Sequence, residues 1–271
     1  MSHKERMKVI EQEGSGGFAL EEAEKLDSAT VEKVQGTVDV SEIVAKYDKE
    51  SAYRTFRGGL EVFIRVLCIA LSGFHLFTAA TGAYPPQIQR AVHLGFVLVL
   101  IYLLYPARAT GSKHKLAWYD VLLAAAGAAV CGYIVWNYDV IVLDAGPPTE
   151  MDFIFGCASI LLVLEATRRI VGLPITLVAV CFLLYAKFGN LIPGMMGHPG
   201  FSMKRIVAHM YLTTEGLFGM PLGVSASFVF LFILFGAFLH STGLGKFFID
   251  LALAAAGRFV GGPAKVAVIS S

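Results

Sequence analysis

Long apolar runs separated by charged stretches constrain this chain more than any other feature of its sequence. A helix that crosses a bilayer needs about 20 predominantly apolar residues, and the first, third and sixth runs reach that length. The second and fifth nearly reach it, whereas the fourth needs its polar flanks and the seventh is short. The sequence therefore predicts an all-α polytopic membrane protein with about seven transmembrane helices. The runs cover residues 62–81, 88–105, 116–136, 153–167, 170–187, 224–240 and 247–257.

Composition and the placement of charge agree with a membrane protein. Hydrophobic residues make up 56% of the chain and charged residues only 16%, against about 25% charged in an ordinary soluble domain. Residues 1–57 form a polar leader that is too long and too acidic for a secretory signal. We expect this leader to stay in the cytoplasm, either partly disordered or as an interfacial helix that begins near Asp39 and Glu42.

Lys and Arg residues close to the spans predict the orientation of the chain. If the leader lies inside, then the basic loop 106–115 and the turn at Arg168 and Arg169 also lie inside. Segment 137–152 carries four acidic residues and no Lys or Arg, as expected of an exterior loop. Residues 188–223 then form a second long exterior loop.

The fourth and fifth runs are almost continuous, so their joint decides the span count. A single helix over 153–187 would be about 52 Å long, well beyond a hydrocarbon core of about 30 Å. Gly172 and Pro174 supply helix breakers, and two arginines supply charge, so the sequence predicts a turn. A long helix that protrudes into the cytoplasm is the alternative.

Two groups of charged residues have the spacing of helical ion pairs. Glu165 precedes Arg168 by three residues and Arg169 by four, so the three side chains share one helix face. Lys246 and Asp250 are also four residues apart. We interpret both groups as structural ion pairs. For Glu165 the alternative is a contact that locks its span to a partner helix, because a carboxylate within a membrane requires a partner.

The remaining polar residues give little support to catalysis or metal binding. The four cysteines lie in four different apolar runs without CxxC spacing, and the histidines form no HxxxH or HExxH arrangement. Neither Gly-rich stretch is a Walker motif. His75 and His93 fall in the first two spans and could meet across a helix pair, while Asp120 is expected to be hydrated near the interface. We therefore expect no enzyme, no metal site and no nucleic-acid partner.

Four stretches of sequence in the second half of the chain, taken in their order, resemble a known family. They are LEATRR at 164–169, GLPITLVAVCFLLYAKFG at 172–189, TEGLFGMPLGVSASFVFLFILFGAFL at 214–239 and FFIDLALAAAGRFVGGPAKVAVISS at 247–271. Together they resemble the fused membrane subunit of tripartite ATP-independent periplasmic (TRAP) transporters, of the TAXI type. The likeness extends over roughly residues 45–271.

The resemblance implies a division of the chain and a function. It implies a four-helix domain like the small subunit over 58–169, a connecting helix over 170–190 and the start of the large-subunit scaffold over 191–271. In this family the large subunit is an elevator that imports a small organic solute, expected to be a carboxylate, together with sodium ions. A periplasmic solute-binding protein delivers the solute. The small subunit and the first large-subunit helices belong to the static scaffold.

The last residues predict that the chain is the front portion of a larger permease. Residues 266–271 begin an apolar segment that is too short to span a bilayer. The resemblance implies that the hairpins that hold sodium and solute come later, so that Ser270 and Ser271 are at most the approach to the first hairpin. We expect this portion to bind no cofactor, although the complete transporter needs sodium.

The expected partners follow from the same resemblance. They are the rest of the large subunit, the binding protein and the lipid bilayer of the bacterial inner membrane. The alternative function is a non-transporting membrane anchor or assembly remnant.

Overall fold

The computed structural model describes residues 53–107, 116–143 and 147–256, and within these ranges the chain is helical without any β-strand. This confirms the predicted all-α class. Ser270, Ser271, most of the leader 1–57 and most of the loop 106–115 lie outside the described residues. The helices are α1 (Gly59–Thr81), α2 (Pro86–Leu104), α3 (Trp118–Trp136), α4 (Tyr138–Leu143), α5 (Glu150–Ile170), α6 (Leu173–Phe188), α7 (Met203–Leu212), α8 (Met220–Ser241) and α9 (Leu244–Ala256).

Five helices in the described part of the chain are long and apolar enough to cross a membrane. They are α1, α2, α3, α6 with the short 3₁₀ turn that follows it, and α8. Helix α5 falls short because acidic residues occupy its first turn and two arginines its last. Helix α9 has only 13 residues. These are the two runs whose length the sequence already showed to be marginal.

The chain breaks between α5 and α6, as the helix breakers predicted. Helix α5 begins at a capping box, in which the Thr149 side chain accepts from the Asp152 backbone N–H and the Asp152 side chain accepts from the Thr149 N–H. Gly172 then adopts φ 111°, a left-handed conformation that a residue with a Cβ rarely adopts, and Pro174 lies in the first turn of α6. A single helix from 153 to 187 is therefore excluded.

Helices α2 and α3 form the centre of the core because small residues let them approach closely. A Cβ at Gly127 would lie 3.0 Å from the Leu98 Cβ, and one at Gly95 would lie 3.1 Å from the Cys131 Cβ. The buried Tyr102 hydroxyl donates to the Leu162 carbonyl at 2.6 Å and so ties α5 to this pair.

The segment 188–223, predicted as a loop, contains helix α7 and packs into the core. Tyr211 and Phe218 are fully buried, and Gly156 of α5 lies against Val207 and Tyr211 of α7. Helix α4 likewise lies within the acidic segment 137–152. Both helices are too short to produce a clear periodic signal in the sequence.

The outer helices carry apolar side chains that the described chain does not cover. Helix α6 has no buried residue, nor has the part of α8 over Phe230–Ser241. Trp118 and Trp136, at the two ends of α3, are also exposed, as expected for aromatic residues at the two interfaces of a bilayer.

Candidate functional site: polar contacts that join the helices

Asp120 is the centre of a buried ion network at one end of the bundle. It lies in the first turn of α3 and is 0% exposed. Its Oδ2 accepts from Arg54 Nη2 at 2.7 Å, and its Oδ1 accepts from Arg169 Nη1 at 2.8 Å. The carboxylate thus connects three separate parts of the chain: the segment before α1, the start of α3 and the end of α5.

Glu165 extends this network along α5. Its Oε1 accepts from Arg169 Nε at 2.8 Å and from Arg168 Nη2 at 2.7 Å, and its Oε2 accepts from Arg168 Nε at 2.7 Å. The sequence placed these three residues on one helix face, and the structure brings them together. Their structural role remains a prediction. We call Arg54, Asp120, Glu165, Arg168 and Arg169 the charged cluster.

The arginines of the charged cluster also satisfy carbonyl groups at the end of α2. Arg54 Nη1 donates to Leu103 O at 3.3 Å, and Arg169 Nη1 donates to Tyr105 O at 3.1 Å. The last carbonyls of a helix have no partner within that helix and carry its negative dipole end, so cations are favourable there. The cluster therefore closes the C-terminus of α2 while it connects α3 to α5.

Two expectations from the sequence change here. Asp120 is buried and paired, not hydrated, because two guanidinium groups replace the water that an interface would supply. Lys246 and Asp250 are both exposed, and no ion pair joins them in the described part of the chain. Arg54 and Asp120 were missed as partners, although Asp120 is the only charged residue between Lys115 and Asp139.

A second polar group lies between α1, α2 and α8. The His75 Nε2 and His93 Nδ1 atoms are 2.9 Å apart, so the two histidines meet as the sequence allowed. Both side chains are buried, at 1% and 4% exposure, and the ring of Phe230 lies 4.3 Å from that of His75. On the other side, Ser225 Oγ lies 3.4 Å from His93 Nε2. We call His75, His93 and Ser225, together with Gln89, the histidine cluster.

Gln89 joins the histidine cluster to an irregular turn of α8. Its Nε2 donates to Thr78 Oγ1 at 3.2 Å and to Ala226 O at 3.4 Å. Ala226 lies in a π-helical turn over Ser225–Val229, where the regular α-helical hydrogen bonds are interrupted. A side-chain donor from α2 therefore meets the backbone of α8 at its irregular turn.

A third set of contacts connects α2 and α3 to the end of α7 and to the segment that follows it. Gln87 Nε2 donates to Leu212 O at 2.8 Å, and Arg90 Nη1 donates to Phe218 O at 2.7 Å. The Tyr211 hydroxyl donates to Val130 O at 2.5 Å. Burial raises the pKa of Tyr211, so this phenol stays protonated and keeps its donor.

These three polar groups hold helices together through hydrogen bonds and ion pairs. Among the described residues, no three His, Cys, Asp or Glu side chains are grouped so that they could hold a metal ion. The ionised groups of the charged cluster bind one another or backbone carbonyls.

Comparison with known proteins gives the family of the C-terminal part. Residues 158–271 match the family model described as tripartite ATP-independent periplasmic transporter, DctM component. Residues 158–271 are thus similar to TRAP permeases, and we call them the TRAP permease region. No curated protein and no solved structure matches the chain. The family match confirms the resemblance to TRAP permeases and, with the apolar helices, a multi-pass membrane protein, whereas the TAXI type remains a prediction.

All three polar groups cross the boundary of the TRAP permease region. In the charged cluster, Arg169 lies inside the region while Arg54 and Asp120 precede it. In the histidine cluster, Ser225 lies inside and His93 precedes it. The carbonyls that Gln87 and Arg90 bind also belong to the region. The preceding helices are therefore attached to the TRAP permease region by buried polar contacts.

Proposed function

We propose that this chain is the membrane scaffold portion of a secondary, sodium-coupled TRAP permease that imports a small organic solute of the carboxylate class. A periplasmic binding protein delivers the solute. A scaffold role is supported by the bridge that Asp120 makes between Arg54 and Arg169. Through these buried charges, the helices that precede the TRAP permease region are fixed to it. Removing one partner of a buried ion pair is strongly destabilising, so such a contact suits helices that do not move relative to one another.

We further propose the division into a small-subunit-like domain over 58–169, a connecting helix over 170–190 and a large-subunit scaffold from 191. The packing of α2, α3 and α5 into one core supports the first part. The absence of buried residues in α6 supports a connecting role for that helix. The family match begins at residue 158, inside α5, so the proposed boundary at 169 lies within the matched residues, in the last turn of α5.

We assign the chain to the inner membrane of a bacterium with its N-terminus in the cytoplasm. The distribution of Lys and Arg near the spans supports this orientation. It places the charged cluster at the cytoplasmic side and the start of α5, with its acidic first turn, at the periplasmic side.

A cross-link between α2 and α3 tests the scaffold role in the complete permease. A Cβ at Gly95 would lie 3.1 Å from the Cys131 Cβ. This is a few tenths of an ångström below the range of about 3.5–4.5 Å found in disulfides, so a small separation of the two helices allows the bond. With the permease and its binding protein reconstituted in vesicles, the oxidised Gly95→Cys variant should take up solute with sodium as fast as the reduced variant.

The control is Gly95→Cys combined with Cys131→Ala, which cannot form this bond. A static scaffold would be contradicted if Gly95→Cys lost uptake on oxidation and recovered it on reduction, while the control without Cys131 kept its uptake throughout. If the parent permease shows no sodium-dependent uptake with its binding protein, the transporter function is wrong and the non-transporting anchor is favoured.

A further inference from the structure

Two cavities of similar size lie on either side of helix α7. One is a cleft of about 670 Å³ between α5, α6 and α7, which we call the apolar cleft. The other is a hollow of about 650 Å³ between the end of α3, α4, the start of α5 and α7, which we call the polar basin. The cleft is lined mainly by apolar residues that include Ile160, Leu164, Ile175, Ala179 and Phe182. The basin is lined in part by Tyr133, Asn137, Thr149, Asp152 and Thr213.

Arg205 and His209 line both cavities. They are four residues apart on α7, so they share one helix face. A molecule with an apolar tail in the cleft could therefore place a polar head at these two side chains. This arrangement suits an amphiphile better than a wholly polar solute.

The charge at this junction is available to an anion. The Arg205 guanidinium lies over the Phe201 ring at 4.9 Å and makes no ion pair with a described residue. The carboxylate in the basin, Asp152, is already occupied: Oδ1 accepts from the Tyr133 hydroxyl, and Oδ2 accepts from the Thr149 N–H and hydroxyl at 2.8 and 2.7 Å. An anionic head at Arg205 therefore has no competing carboxylate among the described residues that line the cleft.

The apolar cleft has the length and the surroundings that an acyl chain requires. Its α6 wall extends from Ile175 to Ala186, a rise of about 16 Å along a helix. Helix α6 has no buried residue and is apolar enough to span a membrane, so its outer surface meets lipid. A lipid chain can thus enter the cleft from the bilayer without passing through water.

We infer that α5, α6 and α7 bind one anionic phospholipid, with an acyl chain in the apolar cleft and its phosphate at Arg205 and His209. A free anion would use the two basic side chains but not the cleft. A neutral lipid would use the cleft but would gain little from Arg205. The combination of the two cavities selects the anionic lipid.

The test is lipid retention by the delipidated 271-residue chain in detergent, measured by native mass spectrometry. The probes are dioleoyl phosphatidylglycerol and dioleoyl phosphatidylcholine, which differ in net charge but carry the same acyl chains. We expect the parent to retain the anionic lipid preferentially. Arg205→Gln should retain about fivefold less of it, since one basic residue near an anionic headgroup contributes about 1 kcal/mol.

Lys204→Gln is the matched control because Lys204 adjoins Arg205 but lines neither cavity; it pairs with Glu150 instead. It should retain the lipid as the parent does. Ala179→Trp fills the cleft and should abolish retention of both lipids while Arg205 stays in place.

Three results would overturn the inference: equal retention of the two lipids by the parent, equal loss in Arg205→Gln and Lys204→Gln, or full retention by Ala179→Trp. Displacement of phosphatidylglycerol by inorganic phosphate at millimolar concentration would point to a free-anion site and also overturn it. If Arg205→Gln fails to fold, the comparison of lipids on the parent and the Ala179→Trp variant still decides.

Discussion

At the scale of single residues, Asp120 should contribute more to stability than Glu165, the other carboxylate of the charged cluster, because Asp120 is fully buried between two arginines. Asp120→Asn leaves the Arg54 guanidinium without its counter-charge and leaves Arg169 with Glu165 as its only anionic partner among the described residues. We expect a loss of about 3–5 kcal/mol in the free energy of unfolding. Thermal or denaturant unfolding of the purified chain in detergent measures it.

Asp139→Asn is the control for this prediction, because Asp139 is exposed at the start of α4. It removes the same charge and should leave the midpoint unchanged. Equal stability of the two variants would contradict the view that Asp120 fixes the helices.

Glu165 binds two arginines but is partly exposed, so its contribution is expected to be smaller. Glu165→Gln should weaken folding or assembly by about 1 kcal/mol while it leaves the solute specificity of the complete permease unchanged. The control is Glu61→Gln, which breaks an exposed pair with Arg65 on α1. A change in solute specificity at normal membrane abundance would rule out a purely structural role for Glu165.

At the scale of helices, the sequence predicted the long elements and missed the short ones. Apolar runs of 18 or more residues became α1, α2 and α3 because helix formation satisfies every backbone group within a membrane. Gly172 and Pro174 marked the break after α5 because their conformational preferences act locally. Helix α7 has only 10 residues, and its burial depends on contacts with α5 that no local pattern specifies.

The packing of α7 on α5 requires a residue without a side chain at position 156. A Cβ there would collide with Val207 and approach the Tyr211 Cβ to 3.2 Å. Gly156→Leu should therefore displace α7 and cost about 1–3 kcal/mol or more in the free energy of unfolding.

Gly73→Leu is the matched control, since Gly73 lies in α1 and a Cβ there meets nothing within 4 Å. The two variants are compared by unfolding in detergent, together with hydrogen exchange of α7. Unchanged protection of the α7 amides in Gly156→Leu would show that the helix is held by other contacts.

At the scale of the whole molecule, the candidate site was only partly visible in the sequence. The Glu165, Arg168 and Arg169 group follows from helical spacing alone. The partners Arg54 and Asp120 are 66 residues apart and meet only in the folded chain. The same holds for His93 and Ser225, which are 132 residues apart. Without aligned relatives, such long-range pairs leave no signal except an isolated polar residue in an apolar run.

The orientation of the whole chain in the membrane rests on the unequal charge of its connecting segments. The segment 137–152 is acidic and should lie outside, while the loop 106–115 is basic and should lie inside. Helix α3 lies between these two segments, so they lie on opposite sides of the membrane if α3 spans it once.

Single cysteines at Thr149 and Ser112, introduced into a chain without its four native cysteines, test both positions with a membrane-impermeant thiol reagent in intact cells. Thr149→Cys should be labelled at once, and Ser112→Cys only after the cells are permeabilised. Labelling of Ser112→Cys in intact cells would reverse the assigned orientation, and labelling of both positions would contradict a single crossing by α3.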